Sequence, residues 1–156
     1  MYRVNKQDTN LEIESNDLKN KMDSNQDVFL LDVWSPEEYE TWRISYNNYL
    51  DPPLIPIDRL FKSASDSILK QIPRNKEIIT VCSHGNRSMV VARILSKMGY
   101  NAKSIKGGMS SWNKVYDVAS IHLEASSSLK IWQIRRVSKG CIGYIISTHN
   151  EKMLLS

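Results

Sequence analysis

The run from Ile78 to Leu95 limits what this chain can fold into more than any other stretch. Ile78-Ile79-Thr80-Val81 is β-branched throughout and reads as a short buried strand. Met89 to Leu95 carries apolar residues at helical spacing, with no breaker before Gly99. Between them lies Cys82-Ser83-His84-Gly85-Asn86-Arg87-Ser88. A strand, a tight polar loop and a helix N-terminus make an anion cradle. The unpaired N–H groups converge on one place, and the helix dipole favours negative charge there. A cysteine at the mouth of such a cradle is expected as the thiolate, because the charged form is the one stabilised. A thiolate is a nucleophile and a carrier of transferable groups.

The other loop residues suit that chemistry as the substrate-binding set. Gly85 permits positive φ or close approach of the backbone to a ligand. Asn86 tolerates a left-handed conformation. Arg87 brings a permanent charge and a fork of donors. Ser88 can cap the helix or bond the sulfur. Ser83 and His84 complete the loop. His84 can donate to a bound sulfur donor or tune the thiolate. Its alternative is a solvent-facing side chain whose backbone N–H does the useful part. The plain alternative for Cys82 is a strand-end thiol that only packs.

The combination CSHGNRS, helix, Met98-Gly99-Tyr100, then Ile105-Lys106-Gly107-Gly108-Met109 and Trp112 resembles the second half of a rhodanese domain. Phe29-Leu30-Leu31-Asp32-Val33 followed by Ser35-Pro36-Glu37-Glu38-Tyr39 resembles its first half. The resemblance spans roughly residues 10–116. It implies an α/β fold, with a parallel sheet and helices on both faces. It also implies sulfur transfer through a persulfide on Cys82. Four residues separate Cys82 from Arg87. Relatives that bind phosphate or arsenate have five, so the shorter ring resembles the sulfurtransferase form and disfavours a phosphatase. In the family the Asp-bearing strand end lies beside the active-site loop, so Asp32 is expected as structural support, orienting nearby backbone.

Trp34 stands where the family pattern has Arg, and Trp42-Arg43-Ile44 where it has "GHI". Asp51-Pro52-Pro53 replaces the usual "PGA" turn. These departures bear on the pocket rim rather than on the cysteine. Trp42, Tyr46 and Tyr49 make the segment aromatic, either for packing or as a partner face. Elsewhere, the sequence predicts a helix beginning after a Ser15-Asn16-Asp17 cap and a strand over 27–33. Ser35-Pro36-Glu37-Glu38 is a strong helix start. A further helix over 65–72 should end at Pro73. A short strand over 102–105 precedes a closing helix over 109–115, with Trp112 packed inward. Tyr2–Val4 reads as loose chain or a short edge strand.

Residues 1–116 are thus expected as the rhodanese-like domain. Residues 117–128 read as a small-residue linker and 129–156 as a β-rich tail. Two β-rich runs around Ser138-Lys139-Gly140 signal a hairpin. This tail resembles the opening hairpin of the metallo-β-lactamase-like fold of persulfide dioxygenases. Its HxHxDH zinc motif is absent, and His84, His122 and His149 have no ligand spacing. No metal or other cofactor is therefore expected. Cys141 is read as a buried strand cysteine. The two cysteines form no CxxC pair and suit a reducing cytoplasm. The net charge of +4 is scattered, which gives no case for nucleic acid, and no run is apolar enough for a membrane span.

The reading is a sulfurtransferase. Sulfane sulfur moves from thiosulfate or a persulfide through Cys82 to cyanide, a small thiol or a protein thiol. The alternative is a non-catalytic or partner-specific sulfur-carrier or docking module.

Overall fold

The computed structural model describes residues 11–46, 51–62, 66–122, 129–148 and 152–155. The readings at Tyr2–Val4, Tyr49 and Ser65 lie outside them. The chain divides into two compact units, Met1–Trp112 and Asn113–Ser156.

The first unit is α/β. Its strands are β1 (Glu12–Ile13), β2 (Val28–Asp32), β3 (Glu77–Val81) and β4 (Ala102–Ile105). They form a parallel sheet in the order β1-β4-β3-β2. Ile78, Ile79, Thr80 and Val81 are all buried, as a central parallel strand requires. Leu54 bridges Asp32 in parallel and extends the sheet by one residue at its β2 edge.

The helices flanking this sheet are α1 (Ser15–Asp23), α2 (Pro36–Thr41), α3 (Ile57–Lys62), α4 (Asp66–Leu69), α5 (Asn86–Lys97) and α6 (Gly108–Trp112). Helix α5 packs Val91, Ala92 and Leu95 into the core over β3 and β4. Helix α1 packs against α6, with Leu18, Met22, Met109 and Trp112 fully buried. Gly99, at φ +84°, follows the end of α5, as a glycine beyond a helix C-cap should. Trp112 is core, as expected.

In the divergent segment Ile44 is fully buried. Tyr46 is buried edge-on to Trp112, with ring centroids 6.0 Å apart. Its hydroxyl donates to Asp23 Oδ1 at 2.6 Å. Trp34 is buried edge-on to Trp42 at 6.5 Å. Packing accounts for these aromatic positions.

The second unit is one antiparallel sheet, β5 (Tyr116–Ile121), β6 (Lys130–Arg136), β7 (Ile142–Ser147) and β8 (Lys152–Leu155), in sequential order. The expected hairpin is β6–β7. Two readings need correction. The stretch read as a linker opens with strand: residues 116–121 pair along their whole length with β6. Asp117, Ala119 and Ser120 are poor strand formers, but a partner strand in register overrides that preference. Cys141 is exposed rather than buried, because it lies in the connection between β6 and β7 and not within a strand.

Candidate active site

Cys82 follows β3 directly, and its side chain is almost fully buried. The loop after it is shorter than the sequence implies. Gly85, at φ +92°, is the N-cap of α5, so Asn86, Arg87 and Ser88 form the first helical turn. One N–H of that turn reaches the cysteine. The Ser88 N–H donates to Cys82 Sγ at 3.3 Å, and Ser88 Oγ lies at the same distance.

The cradle is held from outside by the start of α6. Met109 N–H donates to the Cys82 carbonyl at 2.9 Å, and Ser110 N–H to the Ser83 carbonyl at 3.0 Å. A trans peptide points its N–H opposite to its C=O. These two bonds therefore aim the Ser83 and His84 N–H groups away from α6, across the loop. Gly108 makes the close approach possible. At φ +57° it lies with its Cα against the backbone of Cys82, Ser83 and Gly85.

Behind the sulfur runs a line of buried hydroxyls. Ser88 Oγ lies 2.7 Å from Ser104 Oγ and 3.2 Å from the Gly85 carbonyl. Thr80 Oγ1 donates to the Ser88 carbonyl at 2.9 Å. Thr80, Ser88 and Ser104 are buried, so each hydroxyl needs such a partner. Sequence reasoning passed over Thr80 and Ser104. For Thr80 the available signal was a polar residue among Ile78, Ile79 and Val81, whereas Ser104 follows Lys103 in a strand that is not otherwise apolar.

Arg87 is engaged in an ion pair and also lines the cavity beside the loop. Its Nη1 and Nη2 donate to the two carboxylate oxygens of Glu38, at 2.8 and 2.6 Å. This fork-to-fork pair ties the first turn of α5 to the first turn of α2. It also holds the Glu38 carboxyl below its usual range and the Arg87 guanidinium above its own. Glu38 is in turn oriented by a capping box. Ser35 N–H donates to Glu38 Oε2 at 3.0 Å, and Glu38 N–H to Ser35 Oγ at 3.3 Å. The sequence marked Glu38 as a helix-start acid and missed its hold on Arg87.

Asp32 sits beneath this pair, fully buried. Its Oδ1 accepts the Trp34 N–H at 3.0 Å. Its Oδ2 has no hydrogen-bond partner. Burial is the main cause that pushes the Asp32 carboxyl up from 3.8 to about 6, and the Glu38 charge adds to it. The folded state therefore holds this proton more tightly than the unfolded chain does. Stability from Asp32 is fully present below about pH 4 and is lost as pH rises through about 6. In Asp32→Asn that loss disappears. The variant's unfolding free energy minus that of the native chain should grow by about 2.5 kcal/mol between pH 4 and pH 8. Denaturant unfolding at both pH values checks this, and parallel curves would refute it.

His84 is exposed, and its Nδ1 lies 2.7 Å from Ser83 Oγ. A cavity of about 600 Å³ opens beside the loop, lined in part by Ile57, His84, Gly85, Arg87, Met89 and Val90. Among the described residues no group of three His, Cys, Asp or Glu side chains is placed to hold a metal ion. No helix among them is long and apolar enough to cross a membrane.

Known proteins resemble this chain in sequence and in fold. The chain is 28% identical over 102 residues to a sulfurtransferase of Allochromatium vinosum, covering 65% of this chain and 86% of that protein. It is 28% identical over 90 residues to the thiosulfate sulfurtransferase GlpE of Tolumonas auensis, covering 57% and 76%. A rhodanese-like domain protein from Staphylococcus aureus superposes with a TM-score of 0.55 at 30% identity, over 65% of this chain and 89% of that one. These relatives support sulfur transfer in general. The profile of the rhodanese-like domain matches residues 14–115, most of the first unit. With the parallel sheet and the cysteine loop in place, this chain belongs to the rhodanese-like domain family.

Proposed function

We propose that the chain moves sulfane sulfur through a persulfide on Cys82. The Cys82 thiolate attacks the outer sulfur of thiosulfate or of a persulfide. A new S–S bond forms on Sγ, and sulfite or a thiolate leaves with the bonding pair of the donor. A thiophile such as a thiol or cyanide then removes the outer sulfur and returns Cys82 to the thiolate. The observation that carries this reading is the Ser88 N–H bond to Sγ inside a loop whose carbonyls are held outward. Such N–H groups stabilise negative charge wherever it rests on the two sulfurs. Ser83, His84, Gly85 and Asn86 shape the walls of the cradle, and Asp32 supports its floor. Arg87, neutralised by Glu38, acts mainly by fixing the first turn of α5. The four-residue spacing argues against a tetrahedral oxyanion as substrate.

The expected result is a gain of one sulfur atom on treatment with thiosulfate or glutathione persulfide, read by intact-protein mass spectrometry. Peptide mapping should place it on Cys82 and not on the exposed Cys141. Cyanide should discharge it as thiocyanate. A folded protein that takes up no sulfur at Cys82 from either donor would overturn the reading.

A second reading, a sulfur carrier for one protein partner, draws on the second unit. Its single sheet exposes Val118, Ile142 and Met153 at 64%, 49% and 58%. We read that unit as the opening strands of a metallo-β-lactamase-like fold, on the run from Gln133 to Tyr144. Residues 1–116 would then be the sulfur-handling domain. A Cys82 persulfide that forms but passes to no small thiophile would favour the carrier.

A further inference from the structure

We propose that His84 takes the proton from an acceptor thiol, so that the site serves un-ionised alkyl thiols. This deepens the sulfurtransferase reading and rests on it. A thiol must lose its proton to attack a persulfide, whereas sulfite and an already ionised thiol need not. The loop supplies one side chain able to accept that proton. His84 is exposed at the rim of the cradle and lines the same cavity as Gly85 and Arg87 of the loop. Its ring is held, because Nδ1 lies 2.7 Å from Ser83 Oγ. With the Nδ1 proton donated to Ser83, the lone pair of Nε2 is left to accept another. An orienting partner on one imidazole nitrogen and a reacting proton at the other is the general logic of a histidine base. Ile57, Met89 and Val90 line the cavity with apolar surface, which suits the stem of an alkyl thiol.

The step balances without an oxidant. The acceptor's S–H proton moves to His84 Nε2. The freed sulfur pair forms a bond to the outer sulfur of the Cys82 persulfide. The old S–S bond breaks, and its electron pair stays on Cys82 Sγ. The products are the acceptor's persulfide, the Cys82 thiolate and a protonated imidazole, which releases its proton to water. Ser83 is a positioning residue in this scheme.

The test loads Cys82 with sulfur from a persulfide donor and follows discharge near neutral pH in the native chain, His84→Gln and Ser83→Ala. Three acceptors are compared: sulfite, an aromatic thiol already ionised at that pH, and 2-mercaptoethanol. An alkyl thiol is only a few per cent thiolate there. Loss of the base should therefore slow 2-mercaptoethanol about tenfold relative to the ionised thiol. The ratio should fall about threefold in Ser83→Ala, which leaves the imidazole in place but unheld. A ratio unchanged within twofold in His84→Gln overturns the proposal. So does an equal fall for all three acceptors, which would make His84 a shaper of the loop. A native chain that never loads sulfur overturns the sulfurtransferase reading itself, an outcome distinct from loading followed by unselective discharge.

Discussion

Cys82→Ser is expected to abolish thiocyanate formation from thiosulfate or glutathione persulfide with cyanide as acceptor. The loss should be at least about a thousandfold, down to the uncatalysed background, because the covalent intermediate cannot form. A serine hydroxyl is un-ionised at neutral pH and holds sulfane sulfur poorly. The same substitution should hardly disturb the fold. Serine is smaller than cysteine, and its oxygen can accept from the Ser88 N–H that now meets Sγ at 3.3 Å. Its cost in stability should be about 1 kcal/mol, the scale of one hydrogen bond rearranged. Cys141→Ser is the control, since that thiol is exposed in the second unit and should leave turnover intact. Turnover surviving in Cys82→Ser at more than a few per cent would move the chemistry to another group.

Gly108→Ala is expected to destroy the cradle, and the first unit with it. A methyl group at Gly108 would overlap the Cys82 carbonyl oxygen and stand 2.7 Å from the Gly85 nitrogen. It would also lie 2.8 Å from the Ser83 carbonyl carbon. All three are backbone atoms, so no side-chain rotation relieves the clash. The left-handed φ of +57° adds its own cost for any residue with a Cβ. Moving the loop away would break the Met109 and Ser110 bonds that hold its carbonyls. The combined penalty should exceed about 4 kcal/mol, among the largest that one substitution produces. Gly140→Ala isolates the conformational part. Gly140 also has positive φ, +66°, but a Cβ there meets nothing within 4 Å. It should cost about 1–2 kcal/mol. Thermal melts of the two variants read the difference, and a Gly108→Ala protein that melts with the native chain would refute the packing.

The sequence showed the site most clearly where chemistry and local geometry coincide. The strand into Cys82, the capping signal Ser35-Pro36-Glu37-Glu38 and the glycine after α5 can each be read within one short window. The first turn of α5 was misread as loop because Asn86, Arg87 and Ser88 are polar. A first turn tolerates polar residues, since its N–H groups have no partner within the helix. The Arg87–Glu38 pair joins residues 49 positions apart, which no local pattern encodes. Ser104 is polar in a short strand, and only the packing of α5 on β4 brings it beside Ser88. Strand β5 exists because β6 pairs with it, so its own residues gave no signal.

The sheet order carries a consequence for biosynthesis. Its edge strand β1 pairs with β4, Ile13 with Ile105, and Lys106 N–H closes on the Ile13 carbonyl at 3.0 Å. A chain emerging from the ribosome therefore waits for residue 105 before β1 has its neighbour. Contacts so distant in sequence form late, because a long loop must close first. Gly108, Met109 and Ser110 follow at once and clasp the loop around Cys82. The cysteine is thus exposed on the nascent chain and acquires its environment only when the sheet is completed. A message cut short before codon 105 would yield a chain with the nucleophile but without the enclosure that tames it.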